Sequence, residues 1–98
     1  MDQLFVVLLS YLKPLEEVDI HLPAHRAFLQ KHYNSSHFIV SGPQIPREGG
    51  LILMRAQNRE EAMQIMNEDP FTQNGVSSFQ IIQFKAADFA EDFERVMK

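Results

Sequence analysis

The six consecutive apolar residues at positions 4–9 limit most strongly what this chain of 98 residues can fold into. A strand with one face in water alternates apolar and polar residues, whereas a continuous apolar run is typical of a strand covered on both faces. Residues 4–9 therefore predict a strand that is buried on both sides. The run is too short to cross a bilayer and lacks the basic flank of a signal peptide, so we expect no membrane partner and a cytoplasmic location.

The remaining elements follow from apolar spacing and from turn residues. Strands are predicted at residues 4–9, 37–41, 51–54 and 78–84, and helices at 21–33, between the N-cap Asn58 and the stop at Asp69-Pro70, and at 86–97. The order strand, helix, strand, strand, helix, strand is typical of an α+β ferredoxin-like βαββαβ fold, here with an added C-terminal helix. At this length we expect a single domain, residues 1–98.

The predicted topology leaves one face of the sheet without a helix. Right-handed crossovers put both main helices on the same face of a four-stranded antiparallel sheet. The opposite face would then carry the large apolar residues of the first and third strands, more than a soluble monomer normally exposes. We therefore expect a homodimer in which the two sheets face each other across a twofold axis.

Composition narrows the classes of partner and cofactor. A net charge of −4 and the absence of any Lys or Arg block argue against nucleic acid as a partner. The chain has no cysteine, which excludes disulfides, thiolate nucleophiles and cysteine-bound metals. His21 and His25 are four residues apart, but a first-turn proline separates them and no third ligand is near, so we expect no metal and no other cofactor.

The first long helix carries a histidine on its apolar face. Val18, Leu22, His25 and Leu29 recur at the spacing of three and four residues that lines one side of a helix. His25 is therefore expected to point inward. A buried imidazole without hydrogen-bond partners loses about 1 to 3 kcal/mol, so His25 needs a polar partner from elsewhere in the chain. A satisfied core histidine is the purely structural alternative.

Three short motifs follow one another between the expected elements: Pro23-Ala24-His25, Ser41-Gly42-Pro43 and Asp69-Pro70-Phe71. Together they resemble the YciI-like (YCII-related) family over nearly the whole chain. The resemblance implies a dimeric α/β barrel in which His25 and Asp69 face each other, with Ser41 close by. It also implies a small-molecule enzyme, since one related member is a dehydrochlorinase acting on a chlorinated hydroxyquinol, and similar barrels include lactone isomerases and monooxygenases.

The residues themselves suit such chemistry. A carboxylate that accepts a hydrogen bond from one imidazole nitrogen fixes the tautomer and leaves the other nitrogen to act as a general base or acid. We therefore expect His25 and Asp69 to be catalytic in a lyase-like or isomerase-like proton transfer. The ligand is expected to be small and anionic or phenolic. Substrate-binding residues are expected to be Ser41, Gly42, Pro43, Arg26 and Phe71.

Other interpretations of the same residues remain open. Asp69 before Pro70 also suits a helix N-cap with proline at the first helical position, and the two roles are compatible. Ser41 at a strand end usually bonds to nearby backbone, which favours positioning over nucleophilic attack. His32 is expected at a solvated or rim position. For the whole protein, the alternative is a non-catalytic ligand-binding or interaction module that uses the same cleft.

Overall fold

The structure, a computed structural model, describes residues 3–97, excluding the side chain of residue 97. Within that range lie four strands and five helices. The strands are β1 (Gln3–Tyr11), β2 (Phe38–Pro43), β3 (Gly49–Ala56) and β4 (Ser77–Phe84). The helices are α1 (Leu15–Ile20), α2 (Leu22–Asn34), α3 (Arg59–Met66), α4 (Pro70–Gln73) and α5 (Phe93–Met97).

The four strands form one antiparallel sheet in the order β2-β3-β1-β4. This order and the two crossings that carry α2 and α3 are those of the ferredoxin-like fold, so the predicted α+β architecture is confirmed. Residues directly opposite in an antiparallel sheet share a face. One row across the sheet, Ser41, Ile52, Val7 and Ile81, lies on the side that α2 and α3 cover.

The next row lies on the opposite face, where no helix packs. It consists of Val40, Leu53, Val6 and Ile82, of which Val40 is 54% and Ile82 42% exposed. Within a single chain, the apolar run of β1 is therefore fully buried only on the face that the helices cover. Its odd-numbered residues are buried there, whereas on the opposite face Leu4 is buried but Val6 and Leu8 are only half-buried.

The segment before the long helix is more regular than the sequence suggests. Residues 15–20 form the short helix α1, which buries Val18, and α2 starts at Leu22 after His21. Pro23 explains the break, because it has no backbone N–H to continue the hydrogen-bond ladder of α1 and therefore stands in the first turn of a new helix. Asn58 caps α3 as predicted, since its side chain accepts from the backbone N–H of Glu61 at 2.8 Å.

The C-terminal helix is shorter than predicted. Apolar spacing predicts a helix over residues 86–97, but only Phe93–Met97 is helical. Phe89 and Phe93 contact each other with ring centroids 6.4 Å apart, and Phe89 is 47% exposed. A short helix whose apolar stripe is only partly buried is marginally stable in water, which accounts for the difference. None of the helices in residues 3–97 is long and apolar enough to cross a membrane.

Candidate active site

His25 and Asp69 are in direct contact, although 44 residues separate them in sequence. Nδ1 of His25, on α2, donates to Oδ1 of Asp69 at 2.8 Å. The same oxygen accepts from the backbone N–H of Phe71 at 3.0 Å, so Asp69 is also the N-cap of α4. The carboxylate is 0% exposed. A single buried oxygen, Oδ1 of Asp69, thus both caps α4 and orients the imidazole of His25.

The short helix α4 fixes Phe71 next to this pair. It ends in a Schellman motif: Val76 N–H donates to the Phe71 carbonyl at 3.0 Å, and Gly75 N–H donates to the Thr72 carbonyl at 3.1 Å. Gly75 has φ of +68°, a conformation that glycine adopts without steric cost. Phe71 and Val76 pack with Val18 in a small apolar cluster. The segment between α3 and β4 is therefore a capped helical turn with both ends hydrogen-bonded.

Phe71 stacks face to face on the imidazole of His25. Their ring centroids are 3.9 Å apart and their planes differ by 6°. The stacking fixes the plane of the imidazole, and the bond to Asp69 fixes its rotation and tautomer. The second ring nitrogen, Nε2, has no hydrogen-bond partner among the described residues, and His25 lines a cavity. This is the arrangement expected of a histidine prepared to exchange a proton with a ligand.

The cavity has a volume of about 390 Å³ and lies between α2 and the ends of β1, β2 and β3. Asp69 lies behind His25 and does not reach it. Gly50 also lines the cavity, and a Cβ added there would lie 3.4 Å from both the Gly42 carbonyl oxygen and Leu9 Cδ1, at the edge of ordinary van der Waals contact. The structure brings six of the predicted residues to the cavity wall: His25, Arg26, Ser41, Gly42, Pro43 and Phe71.

The hydroxyl of Ser41 bonds to Tyr33, a residue that the sequence does not single out for the site. The Tyr33 OH and Ser41 Oγ are 2.6 Å apart. A phenol is a stronger acid than an aliphatic alcohol, which favours Tyr33 as the donor. The Ser41 proton is then available to the cavity that Ser41 lines. Tyr33 is four residues after Leu29 and so lies on the same side of the helix, but a contact with Ser41 depends on how β2 packs against α2.

Tyr11 and Arg47 also line the cavity. The sequence does not single out Tyr11, whereas it places Arg47 in the loop after Ser41-Gly42-Pro43, where a cation could close over an anionic substrate but where an arginine is more often merely solvated. Nη2 of Arg47 donates to Asp19 Oδ1 at 2.7 Å, and Nε donates to the Tyr11 hydroxyl at 3.3 Å. The guanidinium carbon lies 5.5 Å from the centre of the Tyr11 ring. The hydrogen bond to Asp19 is the main reason that the pKa of Arg47 is raised above its ordinary value.

A second histidine of α2 is buried, contrary to the prediction that it is solvated. Nε2 of His32 lies 3.0 Å from Oε1 of Glu68, which also accepts from Lys31 Nζ at 2.8 Å. His32 is seven residues after His25, so the helical period returns it to the buried face. It does not line the cavity. Within residues 3–97, no group of three or more His, Cys, Asp or Glu side chains has the arrangement of a metal site.

The sheet order and the placement of the helices define an α+β protein of the ferredoxin-like class. Residues 4–85 match the YCII-related domain family. The chain therefore belongs to the YCII-related family, as the three motifs predicted. The match ends just after β4, so the segment that carries α5 lies outside it.

Among solved structures, the chain is similar to 5-chloro-2-hydroxyhydroquinone dehydrochlorinase from Burkholderia phenoliruptrix, whose structure is a complex with 2,5-dihydroxybenzoquinone. The TM-score is 0.71 and the sequence identity 22%, and the alignment covers 84% of this chain and 93% of the dehydrochlorinase. At this identity the similarity supports the fold. Comparison with curated proteins gives no match.

Proposed function

We propose that this protein is a small-molecule enzyme of the lyase or isomerase kind, in which His25, oriented by Asp69, moves a proton in the cavity between the sheet and α2. One observation carries the proposal. The imidazole is fixed on one side by a fully buried carboxylate at 2.8 Å, while its other nitrogen has no partner among the described residues and the ring lines the cavity. A merely structural histidine gains nothing from an open cavity beside it.

The proton transfer needs no co-reactant. Nε2 of His25 takes a proton from a C–H or O–H group of the substrate, and Asp69 stabilises the imidazolium that forms. The electron pair left behind either expels an anionic group such as chloride, which is an elimination, or moves toward a carbonyl oxygen, which is an isomerisation. The proton on Nε2 then returns to water or to another atom of the substrate. Ser41 and Arg26 line the same cavity and are proposed to hold substrate oxygens.

The proposed substrate is a small hydroxylated ring compound that is phenolic or anionic. The similar dehydrochlorinase acts on a chlorinated hydroxyhydroquinone, which suggests this class, although the similarity itself extends only to the fold. The cavity supports the suggestion independently. A volume of about 390 Å³ suits a single ring with substituents, and two arginines line it, Arg26 and Arg47.

We further propose that the protein is a homodimer that pairs through the uncovered sheet face. The row Val40, Leu53, Val6 and Ile82, together with Phe84, which is 41% exposed, leaves apolar surface on all four strands. The same face of a second copy can pack against it about a twofold axis, because a twofold interface is formed by the same residues of both chains. Sedimentation equilibrium at micromolar concentration is expected to give twice the chain mass of 11.3 kDa, and a stable monomer would contradict this proposal.

The enzymatic proposal is tested by comparing two histidine variants. Purified protein is incubated with chlorinated hydroxyquinols, and chloride release and quinone absorbance are followed. His25→Gln is expected to lose at least about a hundredfold in turnover, the contribution typical of a general base. The control is His37→Gln, which also removes one imidazole but at a site where His37 Nε2 lies 3.3 Å from Glu61, outside the cavity.

Circular dichroism and sedimentation show whether each variant keeps the folded state of the wild type. Equal activity of the His25 and His37 variants would refute a catalytic role for His25. If the wild type binds hydroxyquinones without turning them over, the protein is instead a ligand-binding module that uses the same cavity.

A further inference from the structure

Arg47 is held at the cavity by three contacts and is not left free in solvent. The loop between β2 and β3 carries it, and its guanidinium spans from β1 to α1 by bonding Tyr11 at 3.3 Å and Asp19 at 2.7 Å. It also lies over the Tyr11 ring, with 5.5 Å from the guanidinium carbon to the ring centre. A long side chain anchored in this way has lost most of its rotational freedom before any ligand arrives.

A row of aromatic rings connects this cation to the base. The edge of Tyr11 meets Phe71 at an interplanar angle of 89° and a centroid distance of 6.0 Å, and Phe71 in turn stacks on His25 at 3.9 Å. The three rings and the guanidinium all border the same cavity. A flat ligand in this cavity therefore has a cation at one end and a proton acceptor at the other, at fixed relative positions.

The N–H donors of the Arg47 guanidinium are only partly used. A guanidinium has five N–H donors, and the described contacts of Arg47 use one on Nε and one on Nη2. Asp19 is the one carboxylate that contacts it among the described residues, and its side chain is 47% exposed. Such an exposed pair contributes little stability, so a ligand anion that offers two oxygens can replace Asp19 at small cost.

We infer that Arg47 is an anion-binding residue of this cavity, which recognises a phenolate or carboxylate group on the substrate, and that Asp19 is the counter-ion that this group displaces. The inference rests on the proposed function only in using the same cavity. It assigns the charged end of the ligand to the loop between β2 and β3, and it leaves the reacting end to His25. Asp19 then acts as a specificity residue, because a neutral ligand cannot compete with it.

The test compares two coloured probes that differ by one ionisable group. 2-Hydroxy-1,4-benzoquinone is a vinylogous acid that is anionic at neutral pH, whereas its methyl ether cannot ionise. Dissociation constants are measured from the absorbance change on binding, so no turnover is needed. Wild-type protein is expected to bind the anion more tightly than the ether, and the preference should decrease as salt is added.

The variants separate Arg47 from a general effect of charge. Arg47→Met is expected to weaken binding of the anion by at least about tenfold and that of the ether by less than about twofold. Asp19→Asn is expected to strengthen binding of the anion by about two- to fivefold. Lys85→Met is the control, because it removes one positive charge from an exposed position just after β4, outside the cavities that Arg47 lines, and it should change neither constant by more than about twofold.

Arg47→Lys covers the case in which Arg47→Met does not fold. It keeps the charge but loses the forked geometry, and an intermediate loss for the anion alone is expected. The inference is overturned if the wild type does not bind the anion, if the Arg47 variants weaken both probes equally, or if they weaken neither. Selective loss in Arg47→Met without any turnover by the wild type would refute the proposed enzyme and keep this inference. Normal binding of the anion in Arg47→Met, together with loss of turnover in His25→Gln, would refute this inference and keep the proposed enzyme.

Discussion

Replacing Asp69 by alanine removes two hydrogen bonds from one buried oxygen. Oδ1 accepts from His25 Nδ1 at 2.8 Å and from the Phe71 N–H at 3.0 Å, and the side chain is 0% exposed. Loss of an N-cap costs about 1 kcal/mol. The buried His25 N–H that is left without an acceptor adds about 1 to 3 kcal/mol. We therefore expect Asp69→Ala to lower the free energy of unfolding by about 2 to 4 kcal/mol.

Asp69→Asn is the matched variant, because asparagine has the same shape and caps helices about as well as aspartate. Its side-chain oxygen can accept both bonds, but the charge is lost and an NH2 group replaces Oδ2, which is buried without a hydrogen-bond partner among the described residues. Loss of the charge assistance and burial of that donor each cost about 1 kcal/mol or more, so the expected loss of stability is about 1 to 3 kcal/mol. Under the proposed mechanism, turnover of the folded variant should also fall, since the carboxylate proposed to stabilise the imidazolium is absent.

The assay is urea unfolding at neutral pH, followed by circular dichroism at one fixed protein concentration because dimerisation would shift the midpoint. A double-mutant cycle with His25→Ala isolates the bond between the two side chains, and a coupling of about 1.5 to 3 kcal/mol is expected. A coupling below about 0.5 kcal/mol would show that Asp69 does not hold His25.

Three further predictions concern single positions. Ser36 has φ of +69° just after α2, a conformation that costs less for glycine than for serine. Ser36→Gly should therefore raise the free energy of unfolding, measured by urea unfolding, by about 0.5 to 1 kcal/mol. A Cβ on Gly49 would lie 1.8 Å from the Leu9 carbonyl oxygen, so Gly49→Ala should destabilise by more than about 3 kcal/mol, and a smaller loss would contradict the strand spacing. The hydrogen bond from Lys31 lowers the pKa of Glu68 below its ordinary value of 4.5. Its ionised form therefore stabilises the fold above that value, and this contribution is lost as the pH falls through the lowered pKa. Glu68→Gln should cost less than about 1 kcal/mol at neutral pH and nothing in strong acid, which urea unfolding at the two pH values will measure.

Local patterns were sufficient for the order of the elements. The apolar run at residues 4–9, the cap at Asn58 and the Asp69-Pro70 stop each act over a few residues, so they can be interpreted without knowing the rest of the chain. The same local patterns failed where packing decides. The C-terminal stripe was predicted as a long helix, but only its last five residues, Phe93–Met97, are helical, because the described chain buries the stripe only in part.

The inward direction of His25 and the need for a polar partner also came from the sequence, because helical period and the cost of an unpaired imidazole are local properties. The sequence did not predict the contact of Tyr33 with Ser41 or those of Arg47 with Asp19 and Tyr11. Each of these contacts joins side chains from different elements. Their distances depend on how α2, the loop after β2 and the end of β1 are arranged on the sheet. The amino-acid sequence by itself determined which elements form and that His25 points inward. Only the tertiary structure decided which charged groups and hydroxyls share the cavity with His25, because their proximity arises from packing and not from spacing along the chain.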